Sequence, residues 1–280
     1  MVMDTDRNYL FDTERFSHAL SLYEEMRAKT ERGSEYPGSA ENADKAPSIG
    51  VLGEKSLHAF LKLYYEPDPG RHEIKVGNHV ADIVGEDGII EIQTRHLSAL
   101  KPKLNDFLGT CRVTVVHPVI ASKRVISVNG DTGEVISVRK SPKHGTVYSQ
   151  MREIYSLREL LTHENFTLRL PLLTADEYRT FGVRTNRRKK QRTRSGEYVS
   201  DMIPTGIIDE ITLAESSDYT ILLPEGLPRE FTVREFAAAA STDEQSARMA
   251  VNLLIRTDLV IPRKRENSRA GIFSVSDANC

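Results

Sequence analysis

Apolar positions along the chain follow two different periods. In residues 11–33, FDTERFSHALSLYEEMRAKTERG, Phe16, Leu20, Tyr23 and Met26 recur at helical spacing and Gly33 supplies a stop. A polar stretch rich in breakers, SEYPGSAENADKAPSIG, separates this helix from GEKSLHAFLKLYY, which sets Leu57, Phe60, Leu61 and Tyr64 on one side of a second helix. The period then shortens to two. HEIKVGNHVADIV and GIIEIQT read as strands, SALKPKLNDFLG as a helix that tolerates Pro102 in its first turn, and RVTVVHPVI as a buried strand. A strand, a helix and another strand in succession predict a parallel crossover.

Further on, KRVISVNGDTGEVISVRK holds two β-branched runs about a Gly-rich turn, the pattern of a hairpin. Leu157 to Tyr178 reads as helical in parts, with Pro171 interrupting it. FTVREFAAAA predicts a helix opened by Thr232 with Glu235 three residues on, and TDEQSARMAVNLLIRTDLV a second helix with Met249, Leu253 and Leu254 inward. IPRKRENSRAGIFSV then reads as two short strands about a basic turn. No internal repeat is visible.

Composition narrows the class. The 280 residues are 39% hydrophobic, enough for a sizeable core, and no apolar run nears the roughly 20 residues of a membrane helix. The start, MVMDTDRNYL, lacks the pattern of a signal peptide, so the expected compartment is the cytoplasm with no membrane partner. Cys111 and Cys280 give neither a disulfide framework nor a metal-ligand spacing. The net charge of −2 hides a segregation of charge, because Arg184 to Arg194 and Arg263 to Arg269 are basic.

Candidate chemistry lies in VADIVGEDGIIEIQTR, residues 80–95. If residue 85 faces residue 88 across the turn, then Asp82 faces Glu91, with Cβ atoms about 4.5–5.5 Å apart, where like charges repel. Gln93 shares their face with Val80, Val84 and Ile89, while Ala81, Ile83, Ile90 and Ile92 point to the other side and pack. A shared divalent cation would turn the repulsion into ligation, since Mg²⁺ takes one or two carboxylates and keeps several waters. Glu54 precedes Leu57 and Leu61 by three and seven positions and so joins the inward face of its helix. His58 and His79 read as packed or surface histidines.

Asp82 on one strand, Glu91, Ile92 and Gln93 on the next, and a helix and parallel strand after them resemble the PD-(D/E)xK nuclease superfamily over roughly residues 50–120. The resemblance implies an α/β, restriction-endonuclease-like mixed sheet flanked by helices. It also implies Asp82, Glu91 and Glu54 as ligands of Mg²⁺ (or Mn²⁺), and a third position that orients the attacking water. That third position, usually Lys, is Gln93 here, an amide without charge. The next helix offers Lys101 and Lys103 as substitutes. The implied activity is metal-assisted hydrolysis of a phosphodiester.

Residues 230–275 resemble a winged helix-turn-helix, whose second helix would present Glu244, Gln245, Ser246 and Arg248 to a major groove. Arg263, Lys264, Arg265 and Arg269 fall in the wing, and Arg187, Arg188, Lys189 and Lys190, with Arg139, Lys140 and Lys143, form further phosphate-binding candidates. The expected division is a helix and loop appendage (1–48), a nuclease-like domain (49–165), a helical and basic linker (166–228) and a winged-helix domain (229–280). The expected protein is a Mg²⁺-dependent DNA endonuclease, with RNA and a homodimer left open. The alternatives are an inert nuclease-fold DNA-binding protein and an assembly factor.

Overall fold

The computed structural model describes residues 12–33, 53–130, 132–181, 197–263 and 271–276. It is an α/β structure in which a mixed eight-stranded sheet is flanked by helices. Helix α1 (Thr13–Gly33) and α2 (Gly53–Tyr65) come first, and β1 (His72–Val76), β2 (His79–Gly85) and β3 (Gly88–Ile92) form an antiparallel meander. Helix α3 (Lys101–Leu108), with Pro102 in its first turn, crosses to β4 (Val113–Val116), which is parallel to β3 as the strand–helix–strand order requires. Gly88 closes the β2–β3 turn at φ +127°, and a Cβ there would meet the Arg112 carbonyl oxygen at 2.3 Å, so no larger residue fits without displacing the backbone.

Strand β5 (Val119–Asn129) continues β4 along the same neighbour. Val113 pairs with Phe166 and Val119 with Leu172, so the offset to β7 (Phe166–Phe181) is 166 − 113 = 172 − 119 = 53 on both sides of Pro118. The same offset sets Pro118 abreast of Pro171. Two residues without an N–H thus share the one level at which the β4 and β5 ladders meet. Strand β6 (Val135–Lys140) pairs with β5 as the predicted hairpin, and β8 (Glu197–Leu213) runs antiparallel to β7 from Leu168 to Phe181.

Side-chain alternation divides the core. Ile89, Val113, Val115, Phe166, Leu168 and Leu170 face α3 and α4 (Met151–Ser156), whereas Ile83, Ile92, Val116, Leu173 and Ile207 face α1 and α2. Leu57, Phe60, Leu61 and Tyr64 are all buried, as their spacing predicts, but Met26 of α1 is 41% exposed. Helix α1 is no appendage. The Phe16 ring lies tilted against Phe60 with centroids 5.0 Å apart, and Arg15 donates to the Tyr64 carbonyl at 2.6 Å and the Tyr65 carbonyl at 3.3 Å, satisfying oxygens at the end of α2.

Residues 166–213, expected as helix and linker, supply the longest strands of the sheet. The helical reading fails because Phe166, Leu168, Leu170 and Leu172 alternate at period two, and pairing on both sides of β7 overrides the helix formers that follow. Residues 230–275 show β9 (Glu230–Phe231), α5 (Val233–Ala239), α6 (Glu244–Arg256), β10 (Val260–Arg263) and β11 (Ile272–Val275), with strand order β10–β11–β9. The Thr232–Glu235 capping box opens α5 as expected, and Leu253 and Leu254 of α6 are buried, with Met249 partly so. This unit does not stand apart: Phe231, Phe236, Ala250 and Val251 join the same core as Leu104, Val113 and Phe166.

Candidate active site at the fork between β2 and β3

Three pairs, Ile83–Ile90, Val84–Ile89 and Gly85–Gly88, fix the predicted register of the β2–β3 hairpin. Beyond Ile83 the strands part, since β3 follows β4 through Ile92–Val116 while β2 follows β1 through Ala81–Ile74. Ala81 accordingly joins the α3-side core instead of the α2-side core that holds Ile83, Ile90 and Ile92, a departure from strict alternation. Asp82 and Glu91 sit at this fork. Asp82 Oδ2 accepts the Ile92 amide at 2.8 Å, and the Asp82 amide donates to Glu91 Oε1 at 3.4 Å, so side chains take over where the ladder ends.

The fork opens into a cleft of about 520 Å³ lined by His58, Ala59 and Lys62 of α2, Glu73 of β1, Asp82, Glu91 to Thr94, Leu100 and Lys103. Helix α2 places His58 Nε2 3.3 Å from Asp82 Oδ2, and α3 places Lys103 Nζ 2.6 Å from Glu91 Oε2, with the Phe107 ring beneath the ammonium at 5.8 Å. Lys62 pairs with Glu73 at the cleft wall. Lys103 and His58 are thus the side chains set against the two carboxyls. His58 belongs to the site, contrary to its reading as a packed or surface histidine. Lys101 lies outside it, 3.9 Å from Glu159.

Gln93 lines the cleft, and its backbone ties β3 to the next strand: its amide donates to the Val116 carbonyl at 2.9 Å, and its carbonyl accepts from His117 Nδ1 at 2.7 Å. Its side-chain NH₂ donates to the Arg95 carbonyl, which leaves the amide oxygen outside that bond. The buried His117, on the far side of the Gln93 carbonyl, also contacts Gln150 at 3.1 Å. Residue spacing alone did not bring His117 into the reading.

The two carboxyls are made unlike by their surroundings. Burial pushes Glu91, 1% exposed, up to about 7, with the Asp82 charge adding to the effect and Lys103 opposing it. Burial also works against the Asp82 carboxylate, but His58, the Ile92 amide and Lys103 outweigh it and hold Asp82 below its ordinary value. Glu91 thus keeps a proton in the folded chain between its ordinary 4.5 and about 7, where the unfolded chain has released it. The stabilisation from this group is complete below 4.5 and is lost as pH rises through about 7. Denaturant unfolding across this range is expected to show the parent losing on the order of a few kcal/mol relative to Glu91→Gln, and parallel curves for the two proteins would contradict the assignment.

Two acidic oxygens in a cleft suit a hard dication, and Asp82 Oδ1 takes part in neither the Ile92 nor the His58 contact. Among the described residues no group of three or more His, Cys, Asp and Glu side chains is arranged to hold a metal ion. The Glu54 side chain lies outside the described residues, although its backbone opens α2. His79 is absent from the cleft lining and pairs with Asp106 at 2.6 Å.

The basic candidates do not converge on the acids. Arg139, Lys140 and Lys143 are exposed on and just after β6, on the β5 side of Pro118. Arg248 is exposed on α6, Gln245 accepts from Arg152 of α4 at 3.2 Å, and Arg263 donates to Ser274 at 2.9 Å. Arg187, Arg188, Lys189, Lys190, Lys264, Arg265 and Arg269 lie outside the described residues. Among the described residues no helix is long and apolar enough to cross a membrane.

No solved structure matches the chain. An uncharacterized protein of Treponema pallidum (strain Nichols) is 37% identical over 124 residues, 44% of this chain and 49% of that protein, so the chain spans about half the length of this curated relative. The profile of a family described as a domain of unknown function, DUF8091, matches residues 55–214, from the first turn of α2 to the end of β8. That stretch is more than half of the chain and holds His58, Asp82, Glu91, Gln93 and Lys103, and the chain therefore belongs to the DUF8091 family.

Proposed function

We propose that this protein is a metal-dependent phosphodiesterase of the restriction-endonuclease-like kind that acts on DNA. The observation that carries the reading is the fork: two carboxyls on diverging strands share a cleft with a lysine delivered by the crossover helix. When bound, Mg²⁺ or Mn²⁺ would lower the pKa of a water and neutralise charge growing on the phosphate. Asp82 and Glu91 would hold the ion, with His58 and the Ile92 amide keeping Asp82 ionised and aimed. Lys103 supplies the cation that Gln93 cannot, and Gln93 keeps an amide oxygen with which to orient the attacking water.

The β9–β11 unit with α5 and α6 is read as a winged helix, in which the exposed Arg248 and Arg263 meet phosphates. The Arg152–Gln245 contact turns part of α6 toward α4 and shortens the face left for a groove. A second reading, a DNA-binding protein that has kept the scaffold without the chemistry, rests on the Gln93 amide being engaged by Arg95.

Calorimetric titration with Mg²⁺ and Mn²⁺ beside a plasmid-cleavage assay separates the two. Ion binding that strengthens as pH rises through about 7, together with nicking of DNA, is expected from the first. DNA retention with no cleavage under either metal supports the second and removes the first.

A further inference from the structure

Strand β1 breaks its own ladder once. His72 pairs with Ile83 and Ile74 with Ala81, so Glu73 stands abreast of Asp82, yet the ladder skips this level and Glu73 sits at φ +53°. Left-handed backbone is unfavourable for a residue with a Cβ and is foreign to a regular strand. Glu73 pairs with Lys62, and both line the cleft that holds Asp82 and Glu91. His58 and Lys62 lie four residues apart on α2, so one face of the helix delivers two basic side chains to two neighbouring strands, His58 to Asp82 and Lys62 to Glu73.

The members of the Lys62–Glu73 pair are held differently. The Lys62 side chain is 15% exposed and the Glu73 side chain 57%, so the cleft wall encloses the ammonium, whereas the carboxylate reaches it from the water side. Strand β1 is the end of the sheet, which leaves Glu73 room to swing outward. An exposed carboxylate gives up such a pair at little cost, but an enclosed ammonium needs another anion in its place. We infer that Lys62 binds the phosphate adjoining the one at the Asp82–Glu91 pair, and that Glu73 occupies the place of that phosphate in the free protein. The inference rests on the reading of the cleft as a nucleic-acid site, and adds that the substrate is a strand with a phosphate beyond the one cleaved. A phosphodiester offers Lys62 a charged oxygen like that of Glu73, and its negative charge repels Glu73 from the wall. Lys103 then flanks the acid pair on the Glu91 side and Lys62 on the Asp82 side.

Anisotropy of a labelled duplex oligonucleotide tests it, with Ca²⁺ in place of Mg²⁺ so that the DNA is bound without being cut. Lys62→Met is expected to weaken binding about tenfold and to lower the slope of log affinity against log salt by about 1, the signature of one lost phosphate contact. Glu73→Gln is expected to tighten binding about threefold or more, and to lose most of that gain in a Lys62→Met background, because the carboxylate competes for that one ammonium. Circular dichroism confirms that each variant keeps its fold. A pair that only ties α2 to β1 would make Glu73→Gln bind no tighter, and that result overturns the inference. So does an unchanged affinity and salt slope in Lys62→Met while the parent binds, an outcome that leaves the nuclease reading standing. A parent without DNA affinity at low salt removes both.

Discussion

Asp82→Asn is expected to lower plasmid cleavage by about 10³-fold or more, because one amide in place of a carboxylate removes half of the anionic charge that would hold the metal. Lys103→Met is expected to cost about 10²-fold, the range seen when one positioned donor to a developing charge is lost. The two effects separate in binding. Asp82→Asn removes Mg²⁺ affinity, whereas Lys103→Met keeps or raises it, since the ammonium 2.6 Å from Glu91 Oε2 competes with a cation for the same oxygen. A Lys103→Met protein with weaker Mg²⁺ binding and full activity would show that the lysine serves only the fold. Measurement at pH 8 keeps Glu91 ionised in the parent and makes the comparison fair.

Phe236→Ala in α5 is expected to cost about 3–5 kcal/mol of unfolding free energy, the usual toll for emptying a buried aromatic site. More telling is where that cost is felt. Phe236 is fully buried, lies 6.2 Å from the Tyr148 ring before α4 and 5.8 Å from Phe231, and shares its core with the β4 and β7 strands. Urea unfolding followed by far-ultraviolet circular dichroism should remain a single transition shifted to lower denaturant. An early transition confined to the amides of α5 and α6, with β4 protection unchanged in hydrogen exchange, would mean that the C-terminal unit folds alone.

Much of the site was legible in the letters because antiparallel pairing is arithmetic once a turn is placed. The Gly85–Gly88 turn gave the pairs as far as Ile83–Ile90, but the same count set Asp82 directly opposite Glu91, where the two strands have already parted. The choice between Lys101 and Lys103 was also open to reading. Leu100, Lys103, Leu104 and Phe107 fall at i, i+3, i+4 and i+7, so Lys103 stands in the apolar stripe of its helix, where a charged residue requires a partner. His58 gave a weaker signal, since it sits beside the Leu57–Leu61 stripe and not in it; its role depends on how α2 lies over the fork. Strand β7 was misread for a local reason. Thr174 and Glu177 have the spacing of a capping box and Pro171 suggests an interruption, yet ladders to β4, β5 and β8 dominate. Contacts between residues far apart in sequence leave no short-range trace, and the fusion of the C-terminal unit with the main core is of that kind.

The constant offset of 53 across Pro118 gives the sheet something like a reading frame. A single residue inserted between His117 and Val119 would turn Val119 and Ile120 to the opposite surfaces, ahead of the bulge at Ala121 where the offset falls to 52. Relatives of this chain should therefore vary in length at the hairpin tips, while the count of residues joining these two halves of one long strand stays unchanged.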